Sequence, residues 1–167
     1  MKFRTIGAIG VLALALTACG GGDDAKASES ISKAIRDSGT QDMALTQKQA
    51  DCIGDGFVAE IGADQLVEYK VLNEDLTVNE GVDNVKMSEG DAGSAADVVL
   101  ECADFREAFT GMMEGMPEEA RTCLEDELTD ERLKAFLTAT FSGDENSPEA
   151  EELSTAVQEC VTAGMGG

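Results

Sequence analysis

Four cysteines, Cys52, Cys102, Cys123 and Cys160, constrain this 167-residue chain more than any other feature, because they recur in two matching contexts. "CIGDGF" begins at Cys52 and "CLEDEL" at Cys123. Each places an aliphatic residue after the cysteine, an Asp three positions on (Asp55, Asp126) and an apolar residue five on (Phe57, Leu128). "DVVLEC" ends at Cys102 and "TAVQEC" at Cys160, with Val99 matching Val157 ahead of a shared Glu-Cys. The order reads as a duplicated unit: a cysteine-bearing helix A, a connection, then a cysteine-bearing helix B. Convergent helix patterning is the competing explanation of so few matches. The closest two of the four are 21 positions apart, so the close pairs of a tetrahedral zinc site are missing.

The fifth cysteine, Cys19, stands in a different setting. Lys2 and Arg4 open the chain, and residues 6–18 carry no charge. That is the charged and apolar layout of a secretory signal. The run is too short to span hydrocarbon, which needs about 20 apolar residues. It ends Leu16-Thr17-Ala18-Cys19, and here the chain resembles the bacterial lipoproteins, whose lipobox is an apolar residue, two small residues and a cysteine. The resemblance implies that residues 1–18 are removed and that Cys19 is acylated with diacylglycerol, its thiol being the nucleophile for thioether formation. A plain secretory signal with an incidental cysteine is the alternative. Two acyl chains hold where one binds only marginally, at about 0.8 kcal/mol per buried CH₂. Residues 19–45 are then expected to be a lipidated flexible tether, and 46–165 a helical domain.

An even number of cysteines in an exported chain reads as two disulfides, with three pairings available. The duplicated order favours Cys52–Cys102 and Cys123–Cys160. Cys102–Cys123 with Cys52–Cys160 competes, since Cys102 and Cys123 flank a turn at Gly115-Met116-Pro117. Their offsets from it are 13 and 6 positions. At 1.5 Å rise per residue, a straight hairpin would leave them roughly 10 Å out of register. The pattern also resembles a group of exported actinobacterial proteins with cysteine-containing helical units behind a lipobox. That resemblance covers about residues 46–163 and implies a helical fold without implying a reaction.

Loss of Lys2 and Arg4 with the signal moves the formal charge from −22 to −24. Nucleic acid and anionic lipid surfaces would repel such a chain. Basic proteins or cations are the partners charge would select, although acids that merely solvate the surface explain the same composition. Hydrophobic residues make up 43% of the chain, enough for a core. Aromatics are 4% and Trp is absent, so that core is aliphatic and Met-rich. Histidine is absent as well, which removes His-dependent triads, His-ligated zinc and His general bases.

Residues 20–30 are small and polar and read as linker, with a short helix expected at 31–36. Thr46 and Gln49 have capping-box spacing. Ala50, Ile53, Phe57 and Ile61 then form one helical face. Gly62 should break it, with Asp64 capping a continuation through Leu66, Tyr69 and Leu72. Helix B of the first unit is expected to start at Ser94 and to run through Val98, Cys102, Phe105, Phe109, Met112 and Met116. Pro117-Glu118-Glu119 starts the next helix. Thr129 restarts it through Leu133, Phe136 and Leu137, and Ser147-Pro148-Glu149 opens the last, with Leu153, Val157, Cys160 and Val161. Val78, Val82 and Val85 lie in an extended-looking loop. The expected fold is all-α: a four-main-helix bundle from a duplicated helical hairpin, with two disulfides.

Four features of the sequence are candidates for chemistry. Ser30-Ile31-Ser32-Lys33 matches S-x-x-K, but SDN and KTG are missing and the chain is too short for that fold. Glu118-Glu119 and Glu151-Glu152 read as solvated helix-end acids, not an acid–base pair. The acid-rich stretch 73–97 offers oxygen ligands for a calcium ion but lacks EF-hand spacing; its length as a connection points to a binding role or, more commonly, to disorder. Met87, Met112, Met113 and Met116 either line an adaptable apolar groove or pack the core. The expectation is a lipid-anchored extracytoplasmic protein with a non-enzymatic binding or envelope-structural role. Its partner is a protein met through basic charge or an apolar groove; no cofactor and no metal site are expected. The alternative class is an accessory ligand- or cation-binding lipoprotein.

Overall fold

The computed structural model describes residues 22–38, 45–80, 85–103, 113, 115–144 and 147–165. Among these there are seven helices and no strand: α1 Gly22–Ser38, α2 Gln47–Glu60, α3 Ala63–Glu68, α4 Glu89–Cys102, α5 Glu118–Glu127, α6 Asp130–Ser142 and α7 Pro148–Met165. The all-α expectation holds for the described residues. The lipobox and Cys19 lie outside them.

Helix α1 takes in the short helix expected at 31–36 and extends it over residues 22–30, which were expected to be linker. The reason is a face too small to register as hydrophobic. Ala27, Ser28, Ile31 and Ser32 are buried, at i, i+1, i+4 and i+5, and Ile35 extends the stripe. The face packs antiparallel on α2. The Ser28 hydroxyl donates to Asp55 and the Ser32 hydroxyl to Asp51, so two residues one turn apart on each helix meet in reverse order. Gly54 makes the approach close: a β-carbon there would lie 2.5 Å from the Ser28 carbonyl oxygen.

Helix α2 begins with the expected capping box. The Gln49 amide donates to the Thr46 hydroxyl, and the Thr46 amide donates to the Gln49 side chain. Gly62, at φ +92°, ends the run and itself takes the N-cap position of α3. Asp64 sits in the first turn of α3 and is not its cap. After α3 the chain makes a tight turn closed by a single antiparallel bridge, Leu72 to Val78. Asp75 holds the turn by accepting from both the amide and the hydroxyl of Thr77.

Helix α4 starts six residues earlier than expected. Ser88, not Ser94, is the N-cap, its hydroxyl accepting from the Asp91 amide. The early turns bury Ala92, Ala95 and Ala96, small residues that carry little hydrophobic signal. The helix also ends sooner, since Ala103 is extended at φ −115°, ψ +127°. The predicted stripe from Val98 to Met116 is therefore interrupted after Cys102; Phe105, Phe109 and Met112 lie outside the described residues. The later starts match the sequence reading. Thr129 caps α6 through the Arg132 amide, and the Ser147 hydroxyl accepts from Ala150 at the start of α7.

Two clusters of buried side chains form the interior. The larger joins Ala27 and Ile31 of α1, Ile53 and Phe57 of α2, Leu66, Leu72, Met87 and the inner face of α4. The smaller joins Met113, Leu124, Leu128, Leu133, Leu153 and Cys160. Helix α6 links them. Leu133 belongs to the second cluster, while Leu137 and Phe141 pack on the first, with Phe141 edge-on to Phe57 at 6.0 Å between ring centres. Cys52 is bonded to Cys102 across α2 and α4, and Cys123 to Cys160 across α5 and α7, with Cα separations of 5.5 and 5.4 Å.

Candidate functional site: acid-lined grooves beside the disulfides

Each disulfide lies beside a groove to whose walls four carboxylates contribute. The first, about 790 Å³, opens between α2, α4 and α6. Leu100, Cys102, Ala103 and Leu133 supply its apolar part; Asp97 and Glu101 come from α4, Asp130 and Glu131 from the first turn of α6, and Gln49 from α2. Capping by Thr129 fixes where Asp130 and Glu131 fall, and acids in a first helical turn are favoured by the positive end of the dipole. One cation faces these four acids, Lys134, which donates to Asp97 at 2.7 Å. Both side chains are about half exposed, so the pair adds little to stability.

The second groove, about 560 Å³, runs along α5 and α7 past Cys123 and Cys160. Glu127, Glu151, Glu152 and Glu159 line it, and again one cation, Arg132, enters it and pairs with Glu127. The Glu151-Glu152 pair from the sequence is thus placed on a solvated groove wall. Glu118-Glu119 lies in the first turn of α5, also at the surface.

Carboxyls with shifted ionisation lie away from both grooves. The Thr77 hydroxyl, then its amide, holds Asp75 below the usual carboxylate range. Asp91 is lowered first by the Tyr69 hydroxyl, at 2.5 Å, and then by Ser88. Both shifts favour the ionised form, the opposite of what a general acid needs. Among the described residues no three metal-ligating side chains converge.

Among the described residues the methionines do not assemble into one groove, and Met112 lies outside them. Met87 fills the first cluster and Met113 the second, while Met116 is 37% exposed. In the Ser30–Lys33 motif, Lys33 is exposed on α1 while Ser32 is buried against Asp51. Sequence reading missed Gln49, Asp97, Arg132 and Lys134 as groove residues. No local signal marks them, because helices distant in sequence bring them together.

The fold and these grooves define an all-helical, disulfide-bridged domain with acidic surface recesses. No protein-family model, curated protein or solved structure matches the chain. No helix among the described residues is long and apolar enough to cross a membrane.

Proposed function

We propose that the chain is a lipid-anchored extracytoplasmic protein with a non-enzymatic binding or envelope-structural role, exercised through a basic segment of a protein partner. The observation that carries this reading is Leu16-Thr17-Ala18-Cys19 behind a charged start and an uncharged run. The two disulfides support it, since such bonds persist in oxidising compartments. Each groove sets four carboxylates against one cation, which favours a cationic ligand by charge. The lack of any histidine supports a role other than general-base hydrolysis.

The domain is read further as two like units. Helices α2 and α5 both start five residues before their cysteine. The residues one and five positions after it, Ile53 and Phe57 or Leu124 and Leu128, are buried in each. A second cysteine-bearing helix, α4 or α7, closes each unit after an intervening helix, α3 or α6.

The test is expression of the full chain and its Cys19→Ser variant in a bacterial host. The parent should fractionate with membranes and carry a diacylglyceryl adduct on Cys19 by intact mass. The variant should lose both. A variant that stays in the detergent phase like the parent overturns the anchor.

A further inference from the structure

Resting on the anchor reading of Cys19, we infer that the domain meets the lipid surface with one defined end: the start of α1, the 73–77 turn and the last turn of α2. The argument is one of chain length. Three residue steps separate Cys19 from Gly22, and an extended chain covers at most ~3.6 Å per residue. Gly22 therefore lies within about 11 Å of the acylated residue. Helix α1 begins there and is fixed to the rest of the domain by Ser28 on Asp55, Ser32 on Asp51 and the close contact at Gly54. The expected long tether is absent from this stretch, so the anchor positions the domain as well as retaining it.

The antiparallel packing decides what shares that end. Residue 28 stands opposite 55 and residue 32 opposite 51, so Glu60 lies toward the start of α1 and Lys48 toward Ser38. Leu76 and Val78 of the turn pack against the cluster that holds Ala27 and Ile31 of α1, and the Lys26 charge acts on the Asp75 carboxyl, so the turn lies beside α1. Asp23 and Asp24 in the first turn of α1 and Glu60 at the end of α2 therefore belong to this end. Such an end does not adhere to anionic headgroups; the covalent leash holds it near them. Repulsion of the remaining acids, acting over about 8 Å at physiological salt, turns the roughly 25 Å length of α1 away from the surface. Gln49, at the start of α2, then carries the first groove to the outward end, open to a partner.

The experiment uses the lipidated full chain in vesicles of phosphatidylcholine and phosphatidylglycerol bearing spin-labelled headgroups. A fluorophore is placed at Glu74→Cys in one sample and at Lys48→Cys in another, with Asp23→Cys as an independent near-end position. Quenching should be severalfold stronger at 74 and at 23 than at 48. Inserting about 20 Gly/Ser residues between Gly21 and Gly22, with a reach of roughly 25 Å, should erase the contrast. Equal quenching at all positions, with the diacylglyceryl mass present on Cys19, overturns the orientation alone. Absence of that mass overturns the anchor reading and the orientation with it.

Discussion

Glycines in α2 and α4 should respond to the same substitution with opposite signs. Gly54→Ala places a methyl group 2.5 Å from a backbone oxygen of α1, which can yield only if the helix moves. Overpacking of this kind costs about 1–3 kcal/mol. Gly93, inside α4, has nothing within 4 Å of the position a β-carbon would take. Gly93→Ala should therefore stabilise by up to about 1 kcal/mol through helix propensity. Urea unfolding of the two variants checks both; a neutral Gly54→Ala would mean that α1 is not seated on α2 as described. Asp91 gives a second prediction at this scale. Its carboxyl is lowered from 3.8 when folded, so it contributes stability above that pH and loses it as pH falls through the folded value. Tyr69→Phe removes the largest cause. The Asp91 titration followed by NMR should then move up toward 3.8, and the loss of stability between neutral pH and the acid limb should become smaller.

Among the elements, the starts of α2, α6 and α7 were legible because a hydroxyl followed by acids or glutamine is a chemical signal confined to four residues. The start of α4 was misplaced for the same reason, since Ser88 and Ser94 both qualify and only packing of Ala92, Ala95 and Ala96 chooses between them. The first turns of α1, residues 22–30, were hidden because Ala27 and Ser28 carry their buried face, and their stability comes from a partner that local periodicity does not reveal. The grooves were not legible at all, as each draws side chains from elements far apart in the chain. The disulfides differ in a way that can be measured. Cys52 is exposed, whereas Cys160 is 1% exposed. Graded reduction followed by alkylation and mass spectrometry should open Cys52–Cys102 first, because exchange requires a thiolate to reach a sulfur. Replacing both cysteines of either pair by serine should cost about 4 kcal/mol, from loops of 50 and 37 residues. If the second pair were labelled first, the relative exposure of the bridges would be wrong.

For the molecule as a whole, charge is the dominant external variable. A chain at −22 repels itself, and that repulsion is screened over about 30 Å at 0.01 M ionic strength but about 8 Å at 0.15 M. The urea midpoint should rise across this range, while association with a basic partner should weaken. A partner that binds equally at both salts would redirect attention from the grooves to exposed apolar residues such as Met116 and Phe136. The placement of the disulfides has a mechanical consequence. Neither bond spans the contact between α4 and α6, so tension applied at the chain ends passes through non-covalent packing there. Once that contact has parted, the residues enclosed by each bond carry none of the load. Under force the oxidised chain should part at this seam and then stop short. Reduction should release roughly 170 Å and 120 Å of further extension, the contour of the two enclosed loops at ~3.3–3.6 Å per residue. Optical-trap traces before and after reductant would show the two increments, and with them a domain built to yield at its middle while each half stays tied.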